Sequence, residues 1–239
     1  MKKVLVFLTA LLVCWLAAGY HMARQQTLNE SLVANAYYGD LVSVKNDLED
    51  GADLSFELYF DDEDRQYTDV LFNALHAAAS SGNEDVINFL LEEGLNIDYP
   101  TPEGWTPLFI AARDGQSEAA KLLVFRGADL NIQTDRGATA LLMAVTQEYP
   151  SETDRNSLLE YMLKRGADPN LADGNGFSPL YYAATLKNVD AVKLLLEYGA
   201  VPDEENLSKI SRILAPLSDK ASRDILSLLK KARKNAKTK

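Results

Sequence analysis

Cysteine and histidine are nearly missing from this 239-residue chain, which holds only Cys14, His21 and His76. That scarcity removes the raw material for most Cys/His metal sites and most nucleophile–base pairs, and it leaves no disulfide to staple the fold. Proline and glycine are modest, at 8 and 13 residues, while 47% of the chain is apolar. A substantial core is therefore available, and the disordered and collagen-like classes are excluded. The sequence also lacks a Gly-rich phosphate loop after a strand, an HExxH pair and an EF-hand-like run closed by Glu. Carboxylates are abundant, so a carboxylate-dependent enzyme stays open as the rival class. No spacing singles out a catalytic pair, however, and the reading is of a non-enzyme with no cofactor and no metal.

Positive charge is scarce except at the end of the chain. Residues 25–208 hold 33 Asp/Glu against 11 Lys/Arg, whereas residues 209–239 hold 10 Lys/Arg against Asp219 and Asp224. With Lys2, Lys3 and Arg24 the sum is the net −11 of the whole chain. A body this acidic repels phosphate backbones, so nucleic acid is not an expected partner; a basic or neutral protein is.

Residues 1–19 read as an address. Lys2 and Lys3 precede an uncharged, apolar run of fifteen residues, Val4 to Ala18, and Ala17-Ala18-Gly19 offers the small residues of a cleavage site. The expectation is a cleaved signal and an exported, periplasmic mature chain starting near Tyr20. Two rivals stay open. Val4 to Tyr20 gives seventeen uncharged residues, at the lower edge of a spanning anchor, which would leave the chain membrane-associated and facing the periplasm. Cys14 as a lipidation site fits less well, because Val13 stands where a small residue is wanted. Without the segment the chain has no cysteine, in keeping with an oxidising compartment.

Self-similarity organises the rest. Gly51, Gly94, Gly127, Gly166 and Gly199 fall at intervals of 43, 33, 39 and 33 residues, and Leu32, Leu75, Leu108, Leu141 and Leu180 at 43, 33, 33 and 39. Two independent combs on one period mark a repeat protein whose longer steps are insertions. Ahead of the later leucines stand Asn73-Ala74, Thr106-Pro107, Thr139-Ala140 and Ser178-Pro179, each a polar N-cap before a residue suited to the first helical position. The pattern predicts a short helix, a turn at Gly39, Gly82 or Gly115, and a second helix carrying apolar doublets such as Leu90-Leu91 and Leu195-Leu196. The comb glycine then ends that helix. Helices this brief are not stable alone in water, so each must be covered by its neighbours.

These residues resemble the ankyrin repeat, with its TPLHxAA helix start and Gly-Ala-Asp hairpin at a period of 33. The matches are Ala74 to Ala78, Thr106 to Ala112, Ala138 to Ala144 and Ser178 to Ala184. The resemblance implies an all-α ankyrin-repeat solenoid of about six helix-turn-helix repeats with short hairpin fingers. It covers residues 20–232: repeats near 31–54, 72–98, 105–131, 138–170 and 177–203, a cap at 207–232, and a basic tail at 233–239. It also implies protein binding without a common target. The family's histidine is kept only at His76; Phe109, Leu142 and Tyr181 stand at its counterparts, so apolar packing is expected to replace much of the polar network between repeats.

Two insertions break the period. One, within residues 55–71, carries Phe56, Tyr59, Phe60, Asp61, Asp62, Glu63, Asp64 and Tyr67, and reads either as a solvated finger or as an acidic, aromatic contact loop. The other adds six residues at the turn of the fourth repeat, with Tyr149, Pro150, Glu152, Asp154 and Arg155, and reads as a tolerated loop.

By resemblance, a partner docks on the concave face formed by hairpin tips and first helices. The tips present Phe72, Glu103, Trp105, Asp135, Arg136, Asn175 and Phe177; the first helices present Tyr37, Tyr38, Arg113, Asp114, Gln147 and Leu186. Phe72, Trp105 and Phe177 share one hairpin position and would either form an exposed aromatic row of hot-spot type or pack on their neighbours. Ile110 and Tyr182 lie deeper and read as core. His76 occupies a structural position with no catalytic partner at a suitable spacing. The apolar series from Ile210 to Leu229 reads as a capping helix pair. Lys230, Lys231, Arg233, Lys234, Lys237 and Lys239 then form a basic end that is either solvated or in contact with anionic lipid. Within binding, an inhibitor or immunity-like protein is the sharper expectation; a passive envelope scaffold is the looser one.

Overall fold

The computed structural model describes residues 2–60, 70–147, 151–217 and 219–236, without the side chains of 2–18, 59, 60, 70, 152, 153, 235 and 236. Among the described residues the chain forms twelve helices: α1 (Lys2–Tyr38), α2 (Leu41–Glu49), α3 (Ala74–Ser81), α4 (Glu84–Glu92), α5 (Pro107–Arg113), α6 (Ser117–Phe125), α7 (Ala140–Thr146), α8 (Glu152–Lys164), α9 (Pro179–Thr185), α10 (Val189–Glu197), α11 (Glu204–Leu214) and α12 (Lys220–Ala236). They pair in order, and each first helix packs on the first helix of the next pair from α1 through α3, α5, α7 and α9 to α11. This is the all-α solenoid of six helix pairs that the combs imply.

Local chemistry sets the helix starts. Asn73, Thr106, Thr139 and Ser178 are the N-caps of α3, α5, α7 and α9, each side chain accepting a hydrogen bond from a main-chain N–H three residues on. The comb leucines then point inward, and Leu75, Leu108, Leu141 and Leu180 are buried in one continuous core. At the turns, Gly39, Gly82 and Gly115 take φ of 75°, 82° and 75°. Lys187 fills the same position in the fifth pair at φ 60°, a conformation that costs an L-residue on the order of 1–2 kcal/mol. Its Nζ lies 3.0 Å from Asp219 Oδ2, tying the fifth pair to the last. At Gly137 the constraint is steric as well, since a Cβ there would sit 2.6 Å from the main-chain nitrogen of Gly174.

The first insertion is more ordered at its base than a plain loop. β1 (Leu58–Phe60) and β2 (Val70–Phe72) form an antiparallel pair with Leu58 opposite Phe72 and Phe60 opposite Val70, and Phe56 packs against the core. Asp61, Asp62, Glu63, Asp64 and Tyr67 lie outside the described residues. In the second insertion, Ser151 caps α8 and the helix gains a turn relative to its counterparts, so Arg155 falls where Asn83 and Gln116 stand in other pairs. Tyr149 and Pro150 lie outside the described residues.

Polar bonding between repeats has moved rather than disappeared. Phe109 and Leu142 are buried at the histidine position and Tyr181 packs against the core there. The comb edge carries the polar links instead: Asn131 accepts from the Asp168 N–H at 2.9 Å and Asn170 from the Val201 N–H at 2.8 Å, and within the first pair Asn29 accepts from the Asp53 N–H at 2.7 Å. Asn29 is buried, so truncating it strands the Asp53 N–H and removes one of the two bonds that the Gln25 amide donates, the other going to Gly51 O. Asn29→Ala is expected to cost about 1–3 kcal/mol, read as faster hydrogen exchange across α2 with the distal repeats unchanged.

The N-terminal helix runs through Tyr20 without interruption. α1 is one helix from Lys2 to Tyr38, and its second half is the first helix of pair one, with Leu32, Val33 and Ala36 buried and Gln25 Nε2 donating to Gly51 O at 2.7 Å. No proline and only Gly19 interrupt this stretch, so nothing local stops the helix. The side chains from Val4 to Ala18, Cys14 included, lie outside the described set. Among the residues whose side chains are described, which exclude 2–18, no helix is long and apolar enough to cross a membrane.

Candidate functional site

Hairpin tips and first-helix ends form two rows along the stack, and both are held in register by bonds between repeats. At the tips, the Asp135 N–H donates to Glu103 O at 3.1 Å, the Gly174 N–H to Arg136 O at 2.7 Å, and Gln133 Nε2 to Ala172 O at 3.0 Å. At the helix ends, Asn83 Nδ2 donates to Tyr37 O at 2.7 Å and Gln116 Nε2 to Ser80 O at 3.2 Å. A partner would therefore meet a preorganised surface, which lowers the ordering cost of binding.

An exposed aromatic row running through all three tips is not what forms. Phe72 is 4% exposed and Trp105 7%; with Phe109 and Ile110 they make a small second core, against which Ala138 and Met143 pack. The cover comes chiefly from the same repeat. Trp105 stacks on Phe109 with centroids 5.8 Å apart, and the Arg113 guanidinium lies 4.7 Å from its ring. Arg113 is fixed in turn by two bonds to Asp114, Nε to Oδ1 at 2.7 Å and a terminal nitrogen to Oδ2 at 2.9 Å, and the two side chains are 13% and 2% exposed. Asp114 also accepts from Ser80 of the preceding pair. Arg113 and Asp114 thus brace the face from below.

Phe177 differs because Tyr181 and Tyr182 stand beside it. The Phe177 and Tyr181 rings stack at 4.2 Å, Tyr182 meets both edge-on, and all three are half-buried. Lys209 Nζ sits 4.6 Å from the Phe177 ring. Tyr182, read from sequence as core, packs half-buried against the core and also donates its hydroxyl to Asp173 Oδ2 at 2.7 Å. Burial, and then that carboxylate bond, push the phenol up to about 12. Burial alone would raise the Asp173 carboxyl, but bonds from the Phe177 N–H, the Tyr182 hydroxyl and Asn175 outweigh it and leave the group below its ordinary value. A half-exposed aromatic cluster with a fixed carboxylate is the most anchor-like feature of the face. Tyr181 and Tyr182 escaped the sequence reading because the repeat pattern assigns their positions to packing; the doublet of tyrosines beside a hairpin phenylalanine is the signal that marks them.

The remaining positions divide by exposure. Tyr38 is 79% exposed and Leu186 56%, at equivalent helix ends in the first and fifth pairs, and Tyr37 meets Tyr38 edge-on at 5.6 Å. Asp135, Arg136 and Asn175 are exposed at the tips, while Glu103 and Gln147 are half-buried, Glu103 accepting from the Thr101 hydroxyl at 2.8 Å and Gln147 accepting at its carbonyl from Arg155. His76 is wholly buried, its Nε2 2.8 Å from Tyr99 O and its Nδ1 accepting from the Asn73 N–H at 3.3 Å. Those contacts fix it as a packing and capping group.

A family model described as Ankyrin repeats (3 copies) matches residues 49–134 and 126–206. Among curated proteins, the chain is 34% identical over 134 residues to Neurogenic locus notch homolog protein 1 of Danio rerio, covering 56% of this chain and 5% of that one. It is 32% identical over 126 residues to an ankyrin repeat-containing protein of Treponema pallidum (strain Nichols), covering 53% and 41%. Similarity to Ankyrin repeat, SAM and basic leucine zipper domain-containing protein 1 of Dasypus novemcinctus is 31% over 123 residues, covering 52% and 25%. In each case the chain spans less than half the length of the relative.

Proposed function

The chain belongs to the ankyrin-repeat family, and from that premise we propose that it is a non-catalytic binding module holding one protein partner on its concave face. The observation that carries this reading is the preorganised row of exposed side chains, with Tyr38 and Leu186 at equivalent helix ends and the Phe177–Tyr181–Tyr182 cluster between the tips and the cap. The acidic body, 33 Asp/Glu against 11 Lys/Arg over residues 25–208, selects a basic or neutral partner and speeds its approach at low salt. The apolar run at residues 4–18 supports an exported location, periplasmic or anchored at the inner membrane facing the periplasm. Export, acidity and a rigid face together suit an inhibitor or immunity-like role, in which a toxic enzyme is blocked by occupancy.

The test is affinity capture from envelope extracts by the full chain beside a Tyr38→Ala, Leu186→Ala double variant. Both positions are surface sites, so the thermal transition should move by no more than about 0.5 kcal/mol in stability. Loss of two anchors is expected to weaken capture at least roughly tenfold, about 1.4 kcal/mol. Undiminished capture removes the proposed face, and several weak partners in place of one tight partner would make the protein a scaffold.

A further inference from the structure

The direction of the helices gives the stack two edges. Every first helix runs toward the turn edge, marked by Tyr38, Gly82, Gly115 and Lys187, and every second helix runs back to the comb edge, marked by Gly51, Gly94, Gly127, Gly166 and Gly199. α1 is a first helix and α12 a second helix. The N-terminal half of α1 therefore enters from beyond the comb edge, and the C-terminal end of α12 leaves across that same edge at the far end of the stack. Two contacts fix the levels: Gln25 donates to Gly51 O, and Arg233 pairs with Glu204 at the start of α11. Beyond Arg233, α12 runs past the edge.

These two projections have complementary chemistry for one environment. α1 carries the apolar run Val4–Ala18, and only Gly19 to Arg24 separate it from Gln25. As continuous helix those six residues span about 9 Å, so an inserted apolar run would hold the comb edge close above the lipid headgroups. Tyr20 and Met22, exposed at 74% and 72%, would fall at the interface, and Lys2 and Lys3 on the far side. α12 ends in Lys230, Lys231, Arg233 and Lys234, all exposed, while Ile225 and Leu229 bury its other face against the stack. The comb edge between these ends is acidic, with Asp53, Asp98, Asp129 and Asp168, so an anionic surface would repel it and attract only the basic end.

We propose that the comb edge faces a membrane, with the apolar helix α1 inserted at one end and the basic end of α12 docked on anionic phospholipid at the other. Two-point attachment sets the stack along the surface and leaves the turn edge, with Tyr38 and Leu186, pointing away from lipid. The proposal goes beyond partner binding and uses the uncleaved form of the N-terminus. Its failure would leave the capture result untouched, since the two tests alter different residues.

The experiment uses the full chain, with Cys14→Ser, reconstituted in phosphatidylcholine vesicles with or without phosphatidylglycerol. A fluorophore is placed on Asn235→Cys or, two turns back, on Ser227→Cys, and quenching by a nitroxide on lipid headgroups is measured. With phosphatidylglycerol, quenching at position 235 is expected to exceed that at 227 several-fold. That excess should vanish in pure phosphatidylcholine, at high salt, and in a variant with Lys230, Lys231, Arg233 and Lys234 changed to Gln. Changing the three lysines to Arg should preserve it, which separates lost charge from lost folding. Equal quenching in both vesicle types, or quenching unaffected by the Gln changes, overturns the proposal. So does self-association in detergent that the Gln variant abolishes without any dependence on anionic lipid, because the basic end would then be taking the acidic body of a second copy.

Discussion

Leu108→Ala is expected to destabilise the protein by about 2–5 kcal/mol. Leu108 is fully buried in α5, and α5 packs on α3 before it and α7 after it as well as on its own partner α6. A cavity there weakens two inter-repeat interfaces at once. In a quasi-one-dimensional stack, stability is a sum of repeat and nearest-neighbour terms, so a fault in the middle also weakens the coupling between halves. Urea unfolding followed by circular dichroism should therefore show an earlier and broader transition than wild type. Phe125→Ala, on the exposed end of α6, is the matched control and should stay within about 0.5 kcal/mol. A Leu108→Ala loss no larger than the control's would mean that the stack does not depend on interlocked leucines for its stability.

The fold was readable because its determinants are local and repeated. Asn73, Thr106, Thr139 and Ser178 start helices whatever surrounds them, and glycines that take φ near +98° end the second helices wherever they recur. Exposure was not readable in the same way. Trp105 and Phe177 hold one register position, yet Trp105 is covered by Phe109 and Arg113, while Phe177 shares its place with two tyrosines and stays half-open. Those differences arise from side chains four to eight positions on in the same repeat, helped for Trp105 by Phe72, Ala138 and Met143 of the adjacent repeats. Lys187 shows the same limit, since an L-residue at a glycine turn makes sense only once Asp219 is seen 3.0 Å from its amine. The unbroken α1 is the contrary case. Absence of Pro from residues 1–38 is a legible sign that the leading segment and the first helix of pair one run on as one helix.

Acid should destabilise this protein through its buried histidine before most carboxylates are protonated. Burial holds the His76 imidazole down to about 4 from an ordinary 6.5, against the opposing pull of its bond to the Tyr99 carbonyl. Because Nε2 must donate to that carbonyl while Nδ1 accepts from the Asn73 N–H, the neutral tautomer satisfies both partners and a second proton would break the capping box. The folded state binds this proton less readily than the unfolded state, so the contribution is fully present above about pH 6.5 and is lost as pH falls toward 4, reaching on the order of 3 kcal/mol. His76→Phe, which installs the residue found at the equivalent position 109, removes the titration. Denaturant midpoints measured from pH 7 to pH 4.5 should fall more steeply for wild type than for the variant, with the gap opening below about pH 6.5. Parallel curves would show that His76 is protonated without strain, and its role as a neutral capping group would have to be abandoned.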